Sequence, residues 1–288
     1  MTDGPRMVRI DQWNAFGVNS IGADAAPFPL SIEVVPAGPD GTWTVHGTAA
    51  TTYDLVDALP WRETVAVLNI GQNSWMDEEL RSLPPREIAR GQGVPAQAHD
   101  VSWTSRRGAP ANDLLVLARR DLRQFFADWS LYDVDILDWD GVLTEQDAEE
   151  LALAVNSRDD DAALLPALPR CRTHLRTHDD CYLTVRSLDS SVPARVLARL
   201  LALFAASALG IEDGGTITEP PRELAAGLLE RSPFWTGRIT GTEQYGVEIG
   251  LAPQGWRPNG PVPRAFPVGV RLDRVTGLWT QEWNGAGD

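Results

Sequence analysis

The most metal-like spacing in the chain lies in Cys171-Arg172-Thr173-His174-Leu175-Arg176-Thr177-His178-Asp179-Asp180-Cys181, which holds both cysteines and two of the four histidines. Thiolate and imidazole are the usual ligands of zinc. Wound as a helix, Cys171, His174, His178 and Cys181 fall within a sector of about 80°. A straight helix nevertheless separates the two cysteines by about 15 Å, so a four-ligand shell requires a bend where Asp179-Asp180 leads into a strand expected at Tyr182–Val185. A subset such as Cys171, His174 and His178 needs an outside ligand or water. The packing alternative places Leu175 and one or two of these residues against a core, with the arginines in water. The expectation is no cofactor, with zinc as the alternative; any zinc is expected to use at least His174 and one cysteine.

A second run, Ile136-Leu137-Asp138-Trp139-Asp140-Gly141-Val142-Leu143-Thr144, sets two carboxylates two residues apart beside a glycine. Such a pair suits nucleophilic attack and proton transfer around a divalent cation. The run resembles the first motif of haloacid-dehalogenase-type phosphotransferases. The resemblance implies Asp138 as nucleophile, Asp140 as acid/base and a bound Mg²⁺, and it covers nine residues of 288. A turn that enters a helix after Thr144 accounts for the same residues without chemistry. The spacing does not make a calcium loop of the EF-hand type, because Gly141 follows the second aspartate directly.

Forty acids oppose 25 basic residues, for a formal charge of -15, and every basic residue is arginine. Without lysine, internal Schiff-base chemistry, a P-loop lysine and a kinase-type ATP lysine are excluded. Between Asp133 and Asp161, eleven carboxylates face only Arg158. Such a field repels a phosphate backbone and favours a basic partner. Asp133, Asp135, Asp138 and Asp140 are the candidate docking residues. The charge balance argues against binding to nucleic acid and to membrane surfaces. His46 and His99 have no identifiable partner for acid–base work, and Gly-x-Gly-x-x-Gly, Gly-x-Ser-x-Gly and His-Glu-x-x-His are missing. Two cysteines do not make a disulfide framework. The N-terminus shows no apolar run behind a basic start, and the cytoplasm is the expected location.

The elements that must position these residues read as α+β. Ser31–Val35 and Thr42–His46 flank a Pro36–Gly41 turn as a hairpin, and Thr64–Ile70 reads as a further strand. Pro84 and Pro85 are expected to interrupt any helix begun by Met76–Leu80. The Gly- and Pro-punctuated stretch from Gly91 to Asn112 reads as a surface connection. Helical spacing puts Leu122, Phe125, Phe126 and Trp129 on one stripe, and Ala148, Leu151, Ala152 and Val155 on another behind Thr144 and Asp147. A buried central helix is expected over 192–209, entered at Ser191 and Pro193 and left at Gly210, with Arg195 and Arg199 on its one polar strip. A further helix is expected from about Pro221 to Glu230. Gly246–Leu251, Phe266–Leu272 and Gly277–Trp283 are expected as C-terminal antiparallel strands. The division expected is a strand-rich region 1–111 followed by an α+β main region 112–288, or one continuous domain.

The leading functional expectation is a non-catalytic protein-interaction or regulatory role, with an inhibitor or immunity protein for a basic partner as its concrete form. The alternative is an enzyme or small-ligand-binding protein whose site is assembled from several elements, with or without a metal.

Overall fold

The computed structural model describes residues 6–10, 30–48, 55–70, 84–101, 113–126, 134–156, 164–178, 182–211, 214–254, 263 and 265–283. In chain order the strands and helices are β1 (Met7–Arg9), β2 (Leu30–Val35), β3 (Trp43–Thr48), β4 (Thr64–Leu68), α1 (Pro85–Gly91), β5 (Ala96–Asp100), β6 (Asp113–Ala118), α2 (Leu122–Phe125), β7 (Val134–Trp139), α3 (Glu145–Asn156), α4 (Leu164–Ala167), β8 (Thr173–His178), β9 (Tyr182–Ser187), α5 (Val192–Ala208), β10 (Thr216–Thr218), α6 (Arg222–Arg231), β11 (Phe234–Glu243), β12 (Gly246–Ala252), β13 (Val268–Asp273) and β14 (Leu278–Trp283). The fold is α+β, with N-terminal strands, central helices and C-terminal antiparallel strands. None of the described helices is long and apolar enough to cross a membrane.

Contacts divide the chain into two units. The first comprises Met1–Val35, Val45–Ala50 and Ser191–Asp288. Its strands run in the order β14-β13-β12-β11-β2-β3, and β11 through β14 form an antiparallel meander. The expected central helix is α5, with Leu200, Leu201 and Phe204 fully buried. It packs on α6, β2 and β12. Its exit follows from Gly210, whose φ of 60° is open to glycine at little cost. There the amides of Ile211 and Gly210 donate to the carbonyls of Ala206 and Ser207, so the turn closes on otherwise orphaned carbonyls. Arg199 is not on a solvated strip: it is buried and paired with Glu219, which Arg6 also approaches at 3.4 Å.

The second unit comprises Pro36–Thr44 and Thr51–Ser190. Within it β5 and β6 pair from Ala96–Leu117 to Asp100–Asp113. The strand order is β9-β8-β7-β4-β6-β5, antiparallel at every step. Pro85 opens α1, because a proline in the first turn gives up only an amide that has no helical acceptor; Met76–Leu80, where an interrupted helix was expected, lies outside the described residues. The stretch expected as a connection contains β5, which carries His99 to a buried position against Leu114.

Registers sort the side chains of this sheet onto two faces. Gln97, Val116, Ala66, Leu137, His174 and Arg186 lie opposite one another across the strands and share one face. That face is covered by Ala148, Leu151, Ala152 and Val155 of α3 and by Leu164 and Leu165 of α4, with Cys171 in the same cluster. The α3 entry is a reciprocal cap. Asp147 N–H donates to Thr144 Oγ1 at 3.2 Å, while Thr144 N–H donates to the Asp147 carboxylate at 2.9 Å.

Candidate functional site

Two polar arrangements lie in the second unit: a buried ionic network under α3, and a cleft at the end of β7. The network starts from Asp135, 4% exposed on a strand whose six residues are all buried. Its Oδ1 accepts from His174 Nε2 and from Arg176 Nε, both at 2.7 Å, and its Oδ2 accepts from Asn69 Nδ2 at 2.7 Å. Asn69 reaches it from a left-handed backbone, φ 56°, a conformation asparagine tolerates better than most residues. Arg186 stands 3.3 Å from the other nitrogen of the ring, His174 Nδ1. A guanidinium can only donate, so Nδ1 is the acceptor, the proton sits on Nε2, and the imidazole is neutral. Burial lowers the His174 pKa against the pull of Asp135. Burial alone would raise Asp135, but its bond to His174 and the charge of Arg176 override this and hold it at about 2. Arg176 also donates to the carbonyl of Val155, in the last turn of α3 at 3.3 Å, where a cation suits the helix dipole.

Asp138 lies on the opposite face of β7 and is 1% exposed. Its Oδ1 accepts the amides of Arg172 and Thr173, each at 2.7 Å, which ties the end of β7 to the start of β8. Its Oδ2 has no hydrogen-bond donor; Arg62 Nε stands 3.8 Å away. Burial pushes the Asp138 carboxyl up, and the two amides and Arg62 offset this only in part. Cys171 is also raised, by burial first and then by Asp138, so its thiol stays protonated and a poor nucleophile.

Beyond Asp138 the chain turns through Asp140-Gly141-Val142. Gly141 has φ 84°, and a Cβ there would come within 2.9 Å of Arg170 NH2. Arg170 clamps the turn by donating to the carbonyls of Asp140 and Val142, and it also lies 4.9 Å over the Trp139 ring. Arg62 donates to the carbonyl of Arg170 at 2.9 Å and pairs with Asp140 at 3.2 Å. This turn and the ends of β4, β5 and β6 border an open cleft of about 580 Å³, whose wall includes Arg62, Glu63, Gln97, Val116, Trp139 and Asp140.

The residues singled out in the sequence are therefore spread over several environments. Thr173–His178 is a strand, so the helical convergence of the metal set does not occur: successive side chains alternate between faces. Cys171 sits in the core cluster, and both ring nitrogens of His174 are engaged. Cys181 and the side chain of His178 lie outside the described residues. Among the described residues no three His, Cys, Asp or Glu side chains are grouped to hold a metal. Of the four docking aspartates, Asp133 lies outside the described residues, Asp135 and Asp138 are interior, and Asp140 is 70% exposed. The nucleophile implied by the phosphotransferase resemblance is thus the buried Asp138, on a strand antiparallel to both neighbours, while Asp140 is outside.

Arg62, Arg170 and Arg186 were not singled out for these roles. The available signal was the alternation of β8, where His174, Arg176 and His178 occupy every second position, a period of two that reads as a strand. No protein-family model matches the chain, and no curated protein or solved structure matches it either.

Proposed function

We propose that this protein acts without catalysis, in the cytoplasm, by recognising another protein through that partner's basic surface, as a regulator or inhibitor. An immunity protein that neutralises a basic target is the most concrete form of this reading. One observation carries it: the division of the carboxylates between interior and surface. Among the described residues the buried carboxylates are Asp113, Asp135, Asp138 and Glu219. Asp113 is held by Arg86, Asp135 by His174 and Arg176, Asp138 by two amides, and Glu219 by Arg199. The groups best suited to acid–base work are thereby engaged in holding the fold. The other described acids lie nearer the surface, and the chain as a whole carries -15. A field of that sign speeds encounter with a cationic surface. The alternative, an enzyme or small-ligand-binding protein, has the cleft in its favour, since its volume falls in the range typical of ligand pockets.

The test is titration calorimetry against the basic products of neighbouring genes, from about 50 to about 300 mM salt, a range over which the screening length shrinks more than twofold. A bound partner whose affinity falls steeply with salt is the expected result. Tight, salt-independent binding to a neutral or acidic partner, or turnover of a small molecule abolished by Asp140→Asn, would refute it.

A further inference from the structure

We propose that the cleft at the end of β7 is the point of recognition, and that it takes an arginine side chain of the partner by exchange with Arg62. The inference rests on the basic-partner reading above. The cleft presents two mostly exposed carboxylates, Asp140 at 70% and Glu63 at 80%, the latter no closer than 3.7 Å to Arg119. Gln97 and Thr64 add further acceptors to the wall, and Val116, Trp139 and Leu143 add apolar surface. A guanidinium has five donors in a planar fork and an aliphatic stem, which matches several acceptors spread over an apolar wall better than a compact ammonium does. Among the lining residues an anionic ligand would face two carboxylates and one arginine, Arg62, with Arg119 3.7 Å from Glu63.

The second observation is the buried Asp138 oxygen that lacks a donor while Arg62 Nε waits 3.8 Å away. Arg62 is shared among Asp140, the Arg170 carbonyl and Asp138, and its approach to Asp138 is too long for a hydrogen bond. An incoming guanidinium that takes Asp140 frees Arg62 to close on Asp138. The ion pair lost at the rim is then replaced by one at a drier position, where attraction is stronger.

The experiment uses the full chain, ¹⁵N- and ¹³C-labelled, titrated with the blocked peptide Gly-Arg-Gly and with its citrulline and lysine counterparts. The arginine peptide is expected to shift the amides of Gly141 and Val142 and the Gln97 side chain, with a dissociation constant on the order of millimolar. Asp140→Asn should weaken binding about threefold to fivefold and Glu63→Gln about twofold, the scale of exposed ion pairs. Both residues are on the surface, so the fold is not at risk. The Asp138 carboxyl ¹³C signal should shift as peptide is added and Arg62 closes on its free oxygen, an effect that loose surface attraction would not produce. Equal binding of the citrulline or lysine peptide, shifts confined to the acidic face of α3, or silence up to about 20 mM peptide would overturn the proposal. A basic partner that binds with steep salt dependence while the cleft signals stay fixed would sink this site and leave the basic-partner reading standing. Filling of the cleft by the peptide with no basic protein bound would do the reverse.

Discussion

Replacing Asp135 by asparagine tests whether the network under α3 holds the second unit together. Every partner of this carboxylate is a donor: His174 Nε2, Arg176 Nε and Asn69 Nδ2. Asparagine keeps the shape but offers one acceptor and an NH₂ group, which meets a donor in either orientation, and it takes the buried anion from Arg176. Removing one member of a buried charge pair costs about 3–5 kcal/mol. For a unit of about 150 residues that is a fall in Tm of roughly 6–20 °C. The pH dependence identifies the cause. The folded pKa of Asp135, about 2, lies below its ordinary value of 3.8. The stabilisation is therefore present above 3.8 and is lost as pH falls towards 2, a contribution of about 2 kcal/mol. Urea unfolding followed by tryptophan fluorescence, at pH values from about 2 to about 7, should show the gap between wild type and variant narrowing with acid. A loss below about 1 kcal/mol at neutral pH, or a gap that does not narrow, would refute the reasoning.

Four further outcomes are expected. His174 is held neutral by burial, with its pKa lowered from 6.5, so its contribution is full above 6.5 and declines as pH falls through that value; His174→Gln should flatten this part of the stability–pH curve measured by calorimetry. Gly141→Ala should cost about 1–2 kcal/mol, because φ 84° is unfavourable for a residue with a Cβ, and the difference is read from urea midpoints. Thr144→Ala removes the α3 cap and should cost about 1 kcal/mol by the same measurement. Phe204→Ala in α5 should cost about 3–5 kcal/mol as a core truncation, seen as the largest fall in midpoint among the three.

Helices whose signals are local were legible in the sequence. Thr144 and Asp147 cap α3, Gly210 closes α5, and the apolar stripes of both helices face their cores as the spacing requires. The turn between β13 and β14 rests on equally local groups: Asp273 accepts the amides of Val275 and Thr276, and Gly277 supplies φ 69°. What stayed illegible depended on partners remote in sequence. Thr-His-Leu-Arg-Thr-His carries almost no apolar residue, yet β8 is an inner strand in which Asp135, 39 positions before His174, supplies the buried acceptor for His174 and the counter-charge for Arg176. Arg199 looks like a solvent strip on α5 until Glu219 is folded against it. The aspartates near residue 135 look like one acidic face, but a strand sends alternate side chains to opposite sides. Asp135 and Asp138 are separated in just this way, and Asp140 lies past the strand end. Of the cleft, the run from Asp138 through Leu143 was visible in advance; the arginines that shape it come from before β4 and before β8.

The absence of lysine acquires a structural meaning at these arginines. Arg176 bonds Asp135 and the Val155 carbonyl at once, Arg62 reaches Asp140 and the Arg170 carbonyl, and Arg170 spans two carbonyls and an indole face. Each position needs donors that diverge from one planar group, which a single ammonium nitrogen on a flexible stem does not supply. These half-buried cations therefore act as struts between strands, turns and a helix end. The same property makes Arg62 suited to exchange: it can release one acceptor while keeping another, so the rim of the cleft can change partner without the turn behind it coming apart.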